Sequence, residues 1–144
     1  IQINPGKAMT PTLPDLLVDG KIADLKAQET PFFTAHACGL DPRYTVTLNL
    51  KDVRYYRESY PDIVLYFWVN WRHRQWRDRT VDYLGGVYRV PLAAILTLIA
   101  SGAPTHYYAR RQSLAERNAT ESYMFDIRNF ERLFHTTDPA FFDS

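Results

Sequence analysis

Polar and apolar positions alternate strictly from Thr45 to Leu50, with Val46, Leu48 and Leu50 on one side and Thr45, Thr47 and Asn49 on the other. That two-residue period predicts a half-buried strand. Asn49 or Lys51 then opens a short helix ending near Tyr60, where Pro61 stops it. Ile63 to Val69 is unbroken apolar and aromatic, the pattern of a strand buried on both faces in the middle of a sheet. Nearer the start, the apolar runs Asp15 to Val18 and Lys21 to Gln28 flank Asp19-Gly20, the strongest short-range sign of a hairpin with a type I′ turn. Residues 1 to 14, broken by Pro5, Gly6, Pro11 and Pro14, read as an extended lead-in. Residues 28 to 43 read as a loop with a short buried piece at Phe32 and Phe33, and Asn70 to Thr80 as a polar connection.

Val81 to Tyr83 and Val87 to Val90 flank Gly85-Gly86 and predict a second hairpin. Pro91 opens a helix running to about Ala100, with Gly102 and Pro104 beyond its end. Tyr123 to Ile127 is a late strand, followed by a short amphipathic helix using Phe130, Leu133 and Phe134. Together these elements predict one α/β domain over residues 1–144, a mixed central β-sheet flanked by helices.

At 144 residues the chain has room for one proper core. Its 46% apolar and 23% charged residues exclude a disordered tail or a fibre. The apolar run Ile63 to Val69 is far short of the ~20 residues that a membrane helix needs. A single cysteine, Cys38, rules out an internal disulfide and leads us to expect a reducing, cytoplasmic setting. Because the chain starts at Ile1 and not Met, we expect a piece of something longer. Net charge is only +1, but residues 43 to 90 carry 9 basic and 5 acidic side chains, so the middle third is the cationic part. Most of the cations are Arg, which suits bidentate contact with phosphate.

The hairpin register carries the candidate chemistry. With Asp19 and Gly20 in the turn, Val18 pairs with Lys21, Leu17 with Ile22, Leu16 with Ala23, and Asp15 stands opposite Asp24. Opposed carboxylates at ~5 Å repel by about 1 kcal/mol in water and roughly 3 kcal/mol at an effective dielectric near 20. A hard divalent cation between them reverses the sign. Strand alternation adds Lys26 and Gln28 to the face that holds Asp24.

Pro14-Asp15, eight intervening residues, then Asp24-Leu25-Lys26 resembles the motif core of the PD-(D/E)xK nuclease superfamily, over residues 14 to 28. The resemblance implies a restriction-endonuclease-like fold and a Mg²⁺-dependent endonuclease, with Mn²⁺ able to substitute. It makes Asp15 and Asp24 metal ligands, Leu25 a ligand through its carbonyl, and Lys26 the residue that positions or activates the attacking water. Gln28 becomes a contact to substrate or to the ligands. The family usually has an acid on a helix before the first motif strand. Residues 1 to 14 offer none, so an acid from a missing start, or Glu29 or Asp62, would have to take its place.

Asn70 to Arg79 holds Arg72, Arg74, Arg77 and Arg79 interleaved with Trp71 and Trp76. Cations that neutralise phosphates beside aromatics that stack on bases predict a nucleic-acid grip, most naturally for double-stranded DNA. Trp71 continues the buried strand and is equally well read as core. Arg110 and Arg111, after His106, form a smaller cluster of this kind. Pro61-Asp62 lacks a following acid-x-Lys, His36 with Cys38 lacks a second metal-binding pair, and Gly85-Gly86 lacks the phosphate-loop spacing. The rival functions are a non-cleaving nucleic-acid-binding module on a nuclease fold, a toxin-like RNase domain, and a protein-interaction domain. A homodimer would suit duplex cutting, because a two-fold axis relates antiparallel strands.

Overall fold

A computed structural model of the chain describes residues 2–3, 14, 16–106 and 121–143. Strand β1 (Gln2–Ile3) pairs with β2 (Leu16–Val18), which turns into β3 (Lys21–Gln28). Asp19 and Gly20 have φ of 51° and 78°. Both are left-handed, as a type I′ turn demands, and the second position is a glycine because no Cβ has to be accommodated there. The register is the expected one: Val18 with Lys21, Leu17 with Ile22, Leu16 with Ala23. Asp15, and with it the expected opposition to Asp24, lies outside the described residues, as does most of the proline-rich lead-in.

Strand β4 (Thr45–Asn49) runs directly into helix α1 (Leu50–Ser59), with the Asn49 side chain accepting from the Lys51 N–H as its cap. Strand β5 (Val64–Asn70) then returns parallel to β3. A short hairpin, β6 (Gln75–Trp76) and β7 (Arg79–Thr80), leads to β8 (Gly85–Pro91), helix α2 (Leu92–Ala100), β9 (Thr105–His106), β10 (Ser122–Asp126) and β11 (Glu131–Thr136). Six strands form one mixed sheet in the order β1-β2-β3-β5-β8-β11, and β4-β10-β9 form a second, smaller sheet. No helix among the described residues is long and apolar enough to cross a membrane.

The core lies on one face of the large sheet. Leu65, Phe67 and Val69 of β5 are fully buried there with Val53 and Tyr56 of α1, Leu92 and Ile95 of α2, and Val46 and Leu48 of β4. The reverse face is covered only in part, by a 3₁₀ turn at Phe141–Asp143 whose Phe142 ring sits 5.5 Å from that of Trp68. Trp68 is therefore 37% exposed, and the expectation that β5 is buried on both faces fails at this residue.

Two other expectations are overturned. Gly85-Gly86 is no hairpin turn: both residues lie inside β8 with neither φ positive. They are glycines because neighbours come too close. A Cβ on Gly85 would stand 2.5 Å from the Tyr83 hydroxyl, and one on Gly86 2.5 Å from the Phe134 carbonyl oxygen. The amphipathic helix at Phe130, Leu133 and Phe134 is the edge strand β11, entered by a 3₁₀ turn at Ile127–Asn129. A register shift between Arg132 and Phe134 inserts one residue, Leu133, and breaks the two-residue period. The resulting spacing of three and four mimics a helical stripe.

Candidate active site

Along β3 every second residue from Ile22 points at α1, so Asp24, Lys26 and Gln28 share a face, beside Leu65, Phe67 and Val69 of β5 in the ladder. Asp24 is only 8% exposed on that apolar floor. An ionised carboxylate there costs several kcal/mol unless it is partnered. Its partners come from two directions. The Tyr56 hydroxyl donates to Asp24 Oδ2, and Lys26 Nζ lies 3.5 Å from the same oxygen. Lys26 also donates to Asp52 Oδ2 at 3.0 Å, and its ammonium sits 5.4 Å from the centre of the Tyr56 ring.

Asp52 and Tyr56 reach the same strand because they are one helical turn apart on α1. The cluster thus contains two carboxylates converging on one ammonium, a local charge of minus one. Asp24 lies at its buried end and Asp52, 42% exposed at the side chain, at its open end. Tyr56→Phe removes the hydroxyl that holds Asp24. We expect it to lower stability by about 1.5 to 3 kcal/mol, the range for a hydrogen bond to a charged group, measured by urea unfolding.

The remaining sequence-predicted residues divide. Leu25 is 37% exposed with its side chain on the opposite face of β3, so its backbone carbonyl alone is left as a candidate donor. Gln28 shares the Asp24 face but donates to the Thr47 carbonyl at 2.8 Å, tying β3 to β4. Glu29 pairs with Arg72 and His73, each at 3.9 Å, and Asp62 is exposed in the turn before β5. Neither supplies the missing acid. The acid that the structure brings to Lys26 is Asp52, which the spacing argument missed. The legible signal was a carboxylate four residues ahead of Tyr56, interrupting the apolar stripe that α1 buries through Val53 and Tyr56. Among the described residues no group of three or more His, Cys, Asp or Glu comes together.

The arginine-rich segment is a hairpin standing at the carboxyl end of β3 and β5. The His73 N–H bonds the Glu29 carbonyl at 3.3 Å, Arg79 donates to the Phe33 carbonyl at 3.1 Å and contacts His36 Nδ1 at 3.0 Å, and Trp76 stacks on Phe33 at 6.1 Å. Trp71 is fully buried, its indole N–H bonded to the Arg43 carbonyl at 2.8 Å, so it is core. Arg72 pairs with Asp143 at 2.8 Å and is neutralised. Arg74 lies over the Tyr83 ring at 5.6 Å and Arg77 over Trp76 at 4.5 Å. Arg74, Arg77 and Arg79 have no acidic partner among the described residues. Arg77 holds a left-handed φ of 54°, a conformation that costs roughly 1–2 kcal/mol for a residue with a Cβ. Arg110 and Arg111 lie outside the described residues, and His106 packs edge-on against Phe32 at 4.9 Å. No protein-family model, curated protein or solved structure matches the chain.

Proposed function

We propose that the chain is a divalent-metal-dependent nuclease with a restriction-endonuclease-like core, acting on nucleic-acid phosphodiesters, with double-stranded DNA as the substrate. The observation that carries the reading is the cluster of Asp24, Lys26 and Asp52, which holds a carboxylate buried on an apolar floor where a purely structural role would favour an apolar side chain. Its donors are hard oxygens converging on a point where a cation, the Lys26 ammonium, is already favoured. That chemistry fits Mg²⁺ or Mn²⁺.

Asp24 and Asp52 would hold the ion, with the Leu25 carbonyl and Asp15, the first acid of the motif, as further ligands. The chemistry such an ion supplies when bound is charge stabilisation on a phosphoryl oxygen and acidification of water. The protein's own groups do the rest. Tyr56 fixes Asp24 in place. Lys26, with three donors, orients the attacking water and offsets negative charge developing at phosphorus. Arg74, Arg77 and Arg79 neutralise backbone phosphates, while Trp76, 39% exposed, offers a face to a base. The hairpin is anchored at Glu29, three residues beyond Lys26 and so about 10 Å along the strand, a separation that supports one substrate strand meeting both.

A non-cleaving binding module is the second reading, favoured by Lys26 itself bridging both acids. The two separate when the chain is incubated with plasmid DNA and with a structured RNA, each with Mg²⁺ and with EDTA. We expect nicking of DNA that EDTA abolishes. Retention of DNA without any cleavage selects the binding module, and cleavage confined to RNA selects the toxin-like RNase.

A further inference from the structure

On the core side of the large sheet, one row of the ladder runs from Lys26 through Phe67 and Tyr88 to Arg132. Phe67 is sealed in the core, so Lys26 and Arg132 open into separate sites three strand spacings apart, about 14 Å. The site at the Arg132 end is a cleft of about 320 Å³ lined by Tyr44, Tyr88, Arg128, Arg132 and His135 together with Ile127 and Phe130. Its charge is unevenly committed. Arg128 is held by Asp126 at 2.7 Å and lies over the Tyr44 ring at 4.4 Å. Burial alone would raise the Asp126 carboxyl, but hydrogen bonds from Arg128 outweigh it and hold the group below the ordinary carboxylate range, so it stays ionised and cancels Arg128. Arg132 and His135 have no acidic partner among the described residues.

The back wall supplies the second observation. Tyr88 is 4% exposed and lines the cleft, so the little of it that remains open faces that space. Burial pushes the Tyr88 hydroxyl's pKa up, so it remains a neutral donor. Its ring lies across Gly86, where a Cβ would stand 3.0 Å from the Tyr88 ring, and His135 is the ladder partner of Gly86. The Tyr88 hydroxyl, the Arg132 guanidinium and the His135 imidazole are therefore gathered in one concave site. Arg43 and Arg128 lie over the Tyr44 ring at 5.5 and 4.4 Å, so that ring is already engaged by guanidinium groups.

We propose that this cleft binds a phosphoryl oxyanion, Arg132 supplying the charge and His135 and Tyr88 completing the hydrogen bonds. Guanidinium donors match phosphate geometry, and a phenol hydroxyl on the cleft wall can donate to an acceptor that enters it. The inference does not rest on the nuclease reading, since nothing in it uses Asp24, Lys26 or Asp52. The phosphoryl group comes from a nucleic-acid backbone or from free phosphate.

Calorimetric titration of the full chain at low salt, with inorganic phosphate and with 5′-phosphorylated and 5′-hydroxyl oligodeoxynucleotides, tests it. We expect saturable binding of phosphate that weakens about tenfold or more in Arg132→Gln, with His135→Gln falling in the same direction. Both positions lie on the edge strand, and an unchanged melting temperature shows that the fold is kept. Oligonucleotide affinity that falls in parallel assigns the anion to nucleic acid; an effect confined to phosphate assigns it to the free ion. Absence of saturable phosphate binding, or equal binding by the wild type and both variants, overturns the proposal. So does phosphate binding that is lost in Lys26→Met, which would place the anion at the other site.

Discussion

If the chain is the proposed nuclease, we expect Lys26→Met to lower metal-dependent cleavage by about 10²- to 10⁴-fold, the range for loss of a positioned proton-transfer or charge-stabilising group. The sign of a second effect distinguishes this from simple damage. Removing the ammonium takes the cluster from two carboxylates and one cation to two carboxylates alone, so the metal concentration needed for half-maximal activity falls while the turnover number falls too. A Lys26 that served only as a strut between β3 and α1 would lower activity in step with unfolding and leave the metal requirement unchanged. Steady-state rates over a Mg²⁺ titration, with urea unfolding in parallel, measure both. Unchanged turnover in a folded variant removes Lys26 from the chemistry and takes the nuclease reading with it.

Trp71→Ala destabilises the protein by about 3 to 5 kcal/mol, whereas Trp76→Ala stays within about 0.5 kcal/mol of the wild type. Two side chains of the same chemistry lie five positions apart. The first is fully buried and hydrogen-bonded to the Arg43 carbonyl; the second is 39% exposed at the tip of the β6–β7 hairpin. On the proposed nucleic-acid-binding role, affinity is expected to move the other way. Trp76→Ala loses a stacking surface worth about 1 to 3 kcal/mol, roughly a 5- to 150-fold weakening, and strips Arg77 of the ring beneath it. The slope of binding against salt stays nearly constant, because the phosphate-neutralising arginines remain. Equal affinity in Trp76→Ala and wild type would mean that the hairpin is not a grip.

These contrasts mark where local pattern is enough. Asp19-Gly20 specified the turn, and a two-residue loop leaves one register, so the shared face of Asp24, Lys26 and Gln28 could be read directly from alternation. The Asn49 cap, the stop at Pro61 and the helix after Pro91 were legible for the same reason: each is set by a few adjacent residues. The likeness to the PD-(D/E)xK motif rests on residues within that same local window, and its first acid, Asp15, falls outside what the structure describes.

Where distant segments meet, local pattern misleads. Gly85-Gly86 resembles a turn when taken alone and is strand because β5 and β11 pair with it on either side, Phe134 crowding Gly86 from far along the chain. Leu133 falls at a bulge that only pairing with β8 can create, which turns an apparent helix into an edge. Asp52 is a case of the same kind, twenty-six residues from Lys26 and brought to it only because α1, in the connection between the adjacent parallel strands β3 and β5, packs over that pair.

The amino-acid order by itself determined the bend that puts an acid, an amine and an amide on one side of a strand, since steric limits on two turn residues and a fixed alternation act within a few bonds. Tertiary structure alone decided which second acid meets that amine, which tryptophan is buried, and where a separate cationic cleft opens, because those depend on through-space packing that no short stretch of chain contains.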